Sequence, residues 1–299
     1  MSANEFPAYA WMDGEIVAWD ACRFHVRTQG AFWGANVFEG VRGYWKPAEE
    51  RISFFCLDEH LRRLRDSAKC LRMPVPFSDE QFSAALDSLA QANSFHEHVH
   101  VVIGLAYGMG PRCESLGHID AVHAHVTAIE MPRSPNFLRG IAAGTSSWRR
   151  ISDESMPPRI KTGANYHNSR LAHQEAVEAG YQTALILNNR GTLAESPGAC
   201  VAAVIGDTVI SPPATAGALP GITLRAVEKI VKQLGMHFEQ REIDRSELYL
   251  ANEVILCGTL AEILPITSID RIPVAEGVPG PVVRRIQQQF DQLVGISEQ

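Results

Sequence analysis

Near the middle of the chain, Pro132-Arg133-Ser134-Pro135-Asn136 sets two prolines among polar residues. Each proline lacks a backbone N–H and has a fixed φ, so the stretch suits neither a helix interior nor a sheet ladder. The feature divides a chain of 299 residues, which is more than one small core takes up. The sequence predicts a small N-terminal α/β domain over 1–130, an interdomain loop over 131–140 and a larger C-terminal domain over 141–299.

Before the connector, strands alternate with helices. Asp13-Gly14 is the turn of a hairpin over 10–19, and 53–55 reads as a strand. Leu61, Leu64, Ala68 and Leu71 recur at helical spacing in 58–71, with Asp58 placed to cap. A second helix over 78–92 opens on Ser78 and Gln81 in capping-box spacing. Residues 99–105 and 122–129 are apolar strands. After the connector, a helix over 168–180 stops at Gly180, and strands over 183–188, 191–193, 200–205 and 208–210 are joined by tight turns. A helix over 224–234, a strand over 253–257 and a helix over 282–294 complete the chain. The expected fold class is α+β, with mixed or antiparallel sheet in the larger domain.

A net charge of −7 speaks against nucleic acid or an anionic membrane surface as partner, because both attract clustered positive charge. No apolar run reaches the roughly 18 residues a membrane span requires. Residues 1–7 carry no export signal. The six cysteines, Cys113 among them, show no metal-ligand spacing and read as free thiols of a reducing compartment. A cytoplasmic protein is expected.

Only five lysines stand among the 27 basic residues, and four have plain surface roles. Lys161 differs: it lies between Pro157-Pro158 and the small residues Thr162-Gly163-Ala164. An amine kept off a solvated face loses its proton readily and becomes a nucleophile toward an aldehyde. Glu195 ends a strand, where a carboxylate can hold a heteroaromatic nitrogen protonated. Gly221-Ile222-Thr223 opens a helix with bare N–H groups suited to a phosphate, and Gly258-Thr259-Leu260-Ala261-Glu262 follows a strand with the same logic. Taken singly, each has an ordinary reading: a loop lysine, a strand-end glutamate, a threonine cap.

Together with Val37-Phe38-Glu39-Gly40-Val41-Arg42-Gly43-Tyr44, His60-Leu61-Arg62-Arg63-Leu64, Tyr107-Gly108-Met109-Gly110 and Ser146-Ser147-Trp148, these residues resemble the class IV (fold type IV) aminotransferases. The pattern is most like the branched-chain amino-acid type and covers nearly the whole chain. The resemblance implies pyridoxal 5'-phosphate held between two domains, with Lys161 as the Schiff-base lysine. It implies that Tyr166 bonds the cofactor's phenolic oxygen and Glu195 its pyridine nitrogen. Arg63, Ile222, Thr223 and Thr259 match the phosphate cup. Phe38, Gly40 and Arg42 match the substrate pocket, and Leu260 and Ala261 the backbone donors to the substrate carboxylate. A homodimer, an amino donor and 2-oxoglutarate as acceptor are implied in the same way.

The family's Tyr-x-Arg pattern is replaced by His98-Val99-His100, and Cys200 stands where an asparagine is usual. Histidines hold a carboxylate less firmly than a bidentate guanidinium. An amine or unusual amino-acid donor is therefore a second reading, and a lyase like aminodeoxychorismate lyase a third. A non-enzymatic metal protein is the rival of another class, because His96, His98 and His100 alternate and His118, His123 and His125 follow. No cysteine or carboxylate spacing supports a metal, and none is expected.

Overall fold

The computed structural model describes residues 6–110 and 121–296; Cys113 and His118 lie outside them. Two compact units emerge: Met1–Pro132 with Ile160–Ala164, and Arg133–Arg159 with Asn165–Gln299.

The first unit holds strands β1 (Tyr9–Met12), β2 (Glu15–Ala18), β3 (Asn36–Lys46), β4 (Arg51–Phe54), β5 (Val99–Tyr107) and β6 (Val122–Glu130), with helices α1 (Gln29–Phe32), α2 (Leu57–Cys70) and α3 (Asp79–Asn93). The strands form one sheet in the order β2-β1-β6-β5-β3-β4. Side chains alternate across a strand. Val37, Val41, Val101, Ile103 and Leu105 therefore turn to one face, where they pack with Leu61, Leu64, Phe82 and Leu86 of α2 and α3. The other face carries Phe38, Gly40 and Arg42. Ser78 and Gln81 close a capping box on α3 as the sequence predicts. Asp58 does not cap α2: the N-cap is Cys56 in a left-handed conformation, and Asp58 sits inside the first turn. There its charge meets the positive end of the helix dipole.

The second unit holds α4 (Asn136–Arg139), β7 (Ile141–Arg149), α5 (Gly163–Glu178), β8 (Thr183–Leu187), β9 (Leu193–Glu195), β10 (Cys200–Ile205), β11 (Thr208–Ser211), α6 (Ile222–Gln233), β12 (His237–Gln240), α7 (Arg245–Leu250), β13 (Glu253–Gly258), β14 (Glu262–Ile269), β15 (Ile272–Pro273) and α8 (Pro281–Val294). Its sheet is mixed, ordered β12-β11-β10-β13-β14-β7-β8-β9 with β15 on β14. The β14–β7 and β7–β8 pairs are parallel, whereas β10, β13 and β14 run antiparallel. Helix α5 begins at Gly163, five residues ahead of the predicted start. Buried Glu253 accepts the Val282 and Val283 amides at 2.8 and 2.7 Å, serving as the N-terminal cap that α8 lacks locally. Among the described residues no helix is long and apolar enough to cross a membrane.

Candidate active site

In the first unit, the Lys161 backbone is held on both sides. Its amide donates to Ser67 Oγ at 3.1 Å, and its carbonyl accepts the Phe38 amide at 3.0 Å. Thr162 Oγ1 donates to the Asn36 carbonyl at 2.6 Å, and the Gly163 amide to Asn36 Oδ1 at 3.0 Å. These bonds explain why Ile160–Ala164 packs with the first unit, although the sequence places it within 141–299. Lys161 Nζ lies 4.8 Å from the centroid of the Phe38 ring.

Behind this loop sits an acid that sequence reading missed. Glu39 alternates with Phe38 and Gly40, so it turns inward, and its side chain has no exposed surface. Arg63 Nε and Nη2 donate to its two carboxylate oxygens at 2.7 and 2.8 Å, and His60 Nδ1 lies 2.7 Å from Oε2. Burial alone would raise the Glu39 carboxyl, but the Arg63 and His60 hydrogen bonds outweigh it and hold the group below its ordinary value. Burial pushes the His60 imidazole down despite Glu39, which leaves it neutral and donating from Nδ1. Arg63 is thus a guanidinium clamped in one orientation. Glu39→Gln should cost about 3–5 kcal/mol, the usual penalty for breaking a buried pair. Because the folded carboxyl is depressed, its contribution is full above the unfolded value near ~4.3 and fades as pH falls through the folded one. Urea midpoints measured from neutral pH into acid should therefore converge for wild type and Glu39→Gln.

On the opposite face of the sheet, Gly40 pairs with Val102 and Arg42 with His100. A Cβ on Gly40 would come within 3.0 Å of His100 Nε2, so the glycine admits the imidazole. Burial, then the charges of Arg42 and Lys161, lower the His100 pKa to about 4. It is therefore a neutral ring near pH 7. The three alternating histidines do not share one strand face: β5 begins only at Val99. His98 Nδ1 accepts the Trp45 amide at 3.1 Å, and His96 stands edge-on to Trp45 at 5.1 Å. Among the described residues no His, Cys, Asp and Glu group is placed to hold a metal.

In the second unit, Glu195 ends β9, 5 % exposed. Arg150 Nη2 meets its Oε1 at 2.9 Å, and the Leu219 amide donates to Oε2 at 2.9 Å. Arg150 is itself buried and donates to the Gly217 carbonyl at 3.1 Å. No local sequence signal marks it, since it stands 45 positions before its partner. Leu219 opens the turn into α6, and its carbonyl accepts Cys200 Sγ at 3.4 Å. Helix α6 starts at Ile222, two residues ahead of the predicted 224, with Gly221 as N-cap and no side-chain cap. A Cβ on Gly221 would lie 2.5 Å from Cys200 Sγ, so only a bare backbone fits this bend. Thr223 is buried beside it. Thr259, Leu260 and Ala261 form the hairpin loop between β13 and β14, closed by the Gly258–Glu262 pair. Arg133 Nε grips Glu262 at 2.5 Å and fixes the far side of that loop. Tyr166 lies on α5, half-buried.

Residues 36–269 match the family model for amino-transferase class IV. This chain belongs to the class IV aminotransferases. A branched-chain-amino-acid aminotransferase of Escherichia coli (strain K12) is 37% identical over 284 residues, covering 94% of this chain and 91% of that protein. The crystal structure of an E. coli branched-chain amino acid aminotransferase superposes with TM-score 0.92 at 34% identity, covering 98% of this chain and 96% of that one. The Thermobaculum terrenum branched-chain enzyme in its PLP form gives TM-score 0.89 at 37% identity, covering 98% and 96%. The fold is therefore fold type IV, and the chain is an enzyme that uses an amino donor and an oxo acid. Membership of an enzyme family displaces the non-enzymatic metal protein. The family's cofactor is pyridoxal phosphate. The residues fit it: an uncapped helix start bent around a glycine suits a phosphate, and a buried, doubly anchored carboxylate suits a protonated ring nitrogen.

Proposed function

We propose that this aminotransferase takes the amino group from a branched-chain or related hydrophobic amino acid and passes it to 2-oxoglutarate in ping-pong order. The observation that carries the reading is the placement of Lys161 Nζ over Phe38, on a sheet face whose neighbouring positions are Gly40 and Val102. That surface is apolar and roomy, suited to an aliphatic side chain. The names of the E. coli and T. terrenum relatives point the same way.

When bound, pyridoxal phosphate supplies an electrophilic carbon and an electron-withdrawing ring. Lys161 Nζ would hold the cofactor and would move the proton at the substrate Cα. Glu195 holds the ring nitrogen, with Arg150 and Leu219 fixing the carboxylate. Tyr166 donates to the phenolic oxygen. Arg63, the Ile222 amide, Thr223 and Thr259 take the phosphate. Phe38, Gly40, Arg42, His98 and His100 line the substrate side, and the Leu260 and Ala261 amides receive its carboxylate. A cytoplasmic homodimer belongs to the same reading; the five described cysteines are all free thiols, which suits a reducing compartment.

The half-reaction spectrum with leucine, valine, phenylalanine and simple amines tests the donor. Leucine and valine should convert the cofactor fastest. A second reading, an amine or unusual amino-acid donor, draws support from neutral His100 where the family pattern carries a cation; preference for simple amines would establish it instead. Arg63→Ala should weaken cofactor binding about 10- to 100-fold, the worth of a charge-assisted hydrogen bond or two. Equilibrium dialysis against pyridoxal phosphate measures this. Unchanged affinity would remove Arg63 from the phosphate site.

A further inference from the structure

The connector around Ser134 and Pro135 is tightly built. Pro135 is the N-cap of α4, the Phe137 amide donates to the Ser134 carbonyl at 3.0 Å, and the Asn136 amide donates to Ser134 Oγ at 3.2 Å. Helix α8 holds the segment from outside. Arg284 Nη2 donates to the Leu138 carbonyl at 2.6 Å, and buried Gln287 donates to the carbonyls of Phe137 and Ile263 at 2.6 and 2.9 Å. All of these residues lie in the second unit. At the head of the segment stands Arg133. Its guanidinium lies 4.0 Å from the centroid of the Phe137 ring, with Nη2 2.7 Å from Asp291 Oδ1 on α8 and Nε 2.5 Å from Glu262 Oε2.

Glu262 is an unusual partner for this contact. Its side chain is 2 % exposed, and its backbone sits at φ +51°, in the left-handed region that favours glycine. It closes the turn of Thr259, Leu260 and Ala261 by pairing with Gly258. Among the described residues no backbone carbonyl takes the amides of those three. A left-handed glutamate persists only where its surroundings over-determine it, and such strain gathers at ligand clamps. On the β13 side a Cβ on Gly258 would come within 3.1 Å of Ala199 Cβ, so close packing sets that flank. On the β14 side the hold is Arg133. One cation between two carboxylates leaves the cluster negative, so its field draws no anion. What it supplies is position.

We propose that Arg133 is a positioning residue for the amino donor: through Glu262 it fixes the turn whose Leu260 and Ala261 amides receive the donor's α-carboxylate. This inference rests on the reading of those two amides as the carboxylate receptor. Two N–H groups grip one carboxylate only when both aim at it together, and an unheld turn loses that convergence. The effect falls on carboxylate binding and leaves proton transfer alone.

The test uses the holoenzyme and two probes, each of them leucine with one group removed. 4-Methylpentanoate keeps the carboxylate and 3-methylbutylamine keeps the amine; calorimetry reads the acid and cofactor absorbance the amine. Arg133→Leu should weaken acid binding about 10- to 100-fold, the worth of one or two charge-assisted hydrogen bonds, while the amine stays within about twofold. In turnover, KM for leucine should rise by the same factor with kcat within about twofold. Arg133→Lys keeps the buried acid paired, so it folds even where Arg133→Leu does not. A point charge in place of a fork should weaken the acid about 3- to 10-fold and again spare the amine. Equal losses for acid and amine would mark a merely structural role and overturn the proposal. So would wild-type acid affinity in the folded variants. Wild type that binds the amine and refuses the acid would overturn the carboxylate reading and this inference with it, whereas acid binding indifferent to residue 133 would sink the inference alone.

Discussion

Lys161→Ala is expected to abolish transamination, with a loss of at least about 10⁴-fold, the top of the range for a positioned proton-transfer group. The fold should survive the change. The bonds that seat this segment come from its backbone, to Ser67 and Phe38, and from Thr162 and Gly163 to Asn36. None involves the amine. Loss of the covalent adduct should show on peptide mapping after borohydride reduction: wild type should be labelled at position 161, the variant nowhere. Phosphate-end affinity for the cofactor should persist. Near wild-type turnover in the variant would remove Lys161 from the chemistry, and with it the assignment of Phe38 as pocket wall.

Glu195→Gln is expected to lower kcat by about 10²- to 10³-fold, the usual effect of deleting one preorganised electrostatic partner. The variant also leaves the Arg150 guanidinium buried against a neutral amide, with a stability cost of about 3–5 kcal/mol. The two consequences separate in the double variant Arg150→Met/Glu195→Gln. Removing the orphaned cation should restore most of the unfolding midpoint while kcat stays low. Recovery of kcat in the double variant would show that Glu195 acts only through the fold.

Much of this arrangement was legible in the residues. Ser78 with Gln81, Asp13-Gly14 and Gly180 mark element ends by local chemistry, and each does so in the structure. The motif residues around Lys161, Glu195 and Gly221 were visible because ordered spacing along the chain identifies them. Partners distant in sequence were not. Arg150 meets Glu195 only after β7 and β8 align in parallel, and β7 and β14 carry no turn signal that would delimit them. Glu39 is the instructive miss: Val37, Glu39 and Val41 share one face of β3, so strand parity alone places an acid in the core and requires a cation to meet it. Asp58 misled for the opposite reason. A left-handed Cys56 starts α2 by backbone geometry, which side-chain capping preferences do not encode.

The clamp on the Lys161 peptide has a kinetic corollary. With amide, carbonyl and both following residues tethered, the amine changes position by rotation about its aliphatic arm and not by movement of the peptide that carries it. If Lys161 has the role proposed above, each catalytic cycle begins with a short swing through few torsions instead of a loop search, and the ordering entropy is borne once, when the chain folds. Temperature dependence of the proton-transfer step should accordingly be governed by bond making, with little contribution from mobility of the supporting loop.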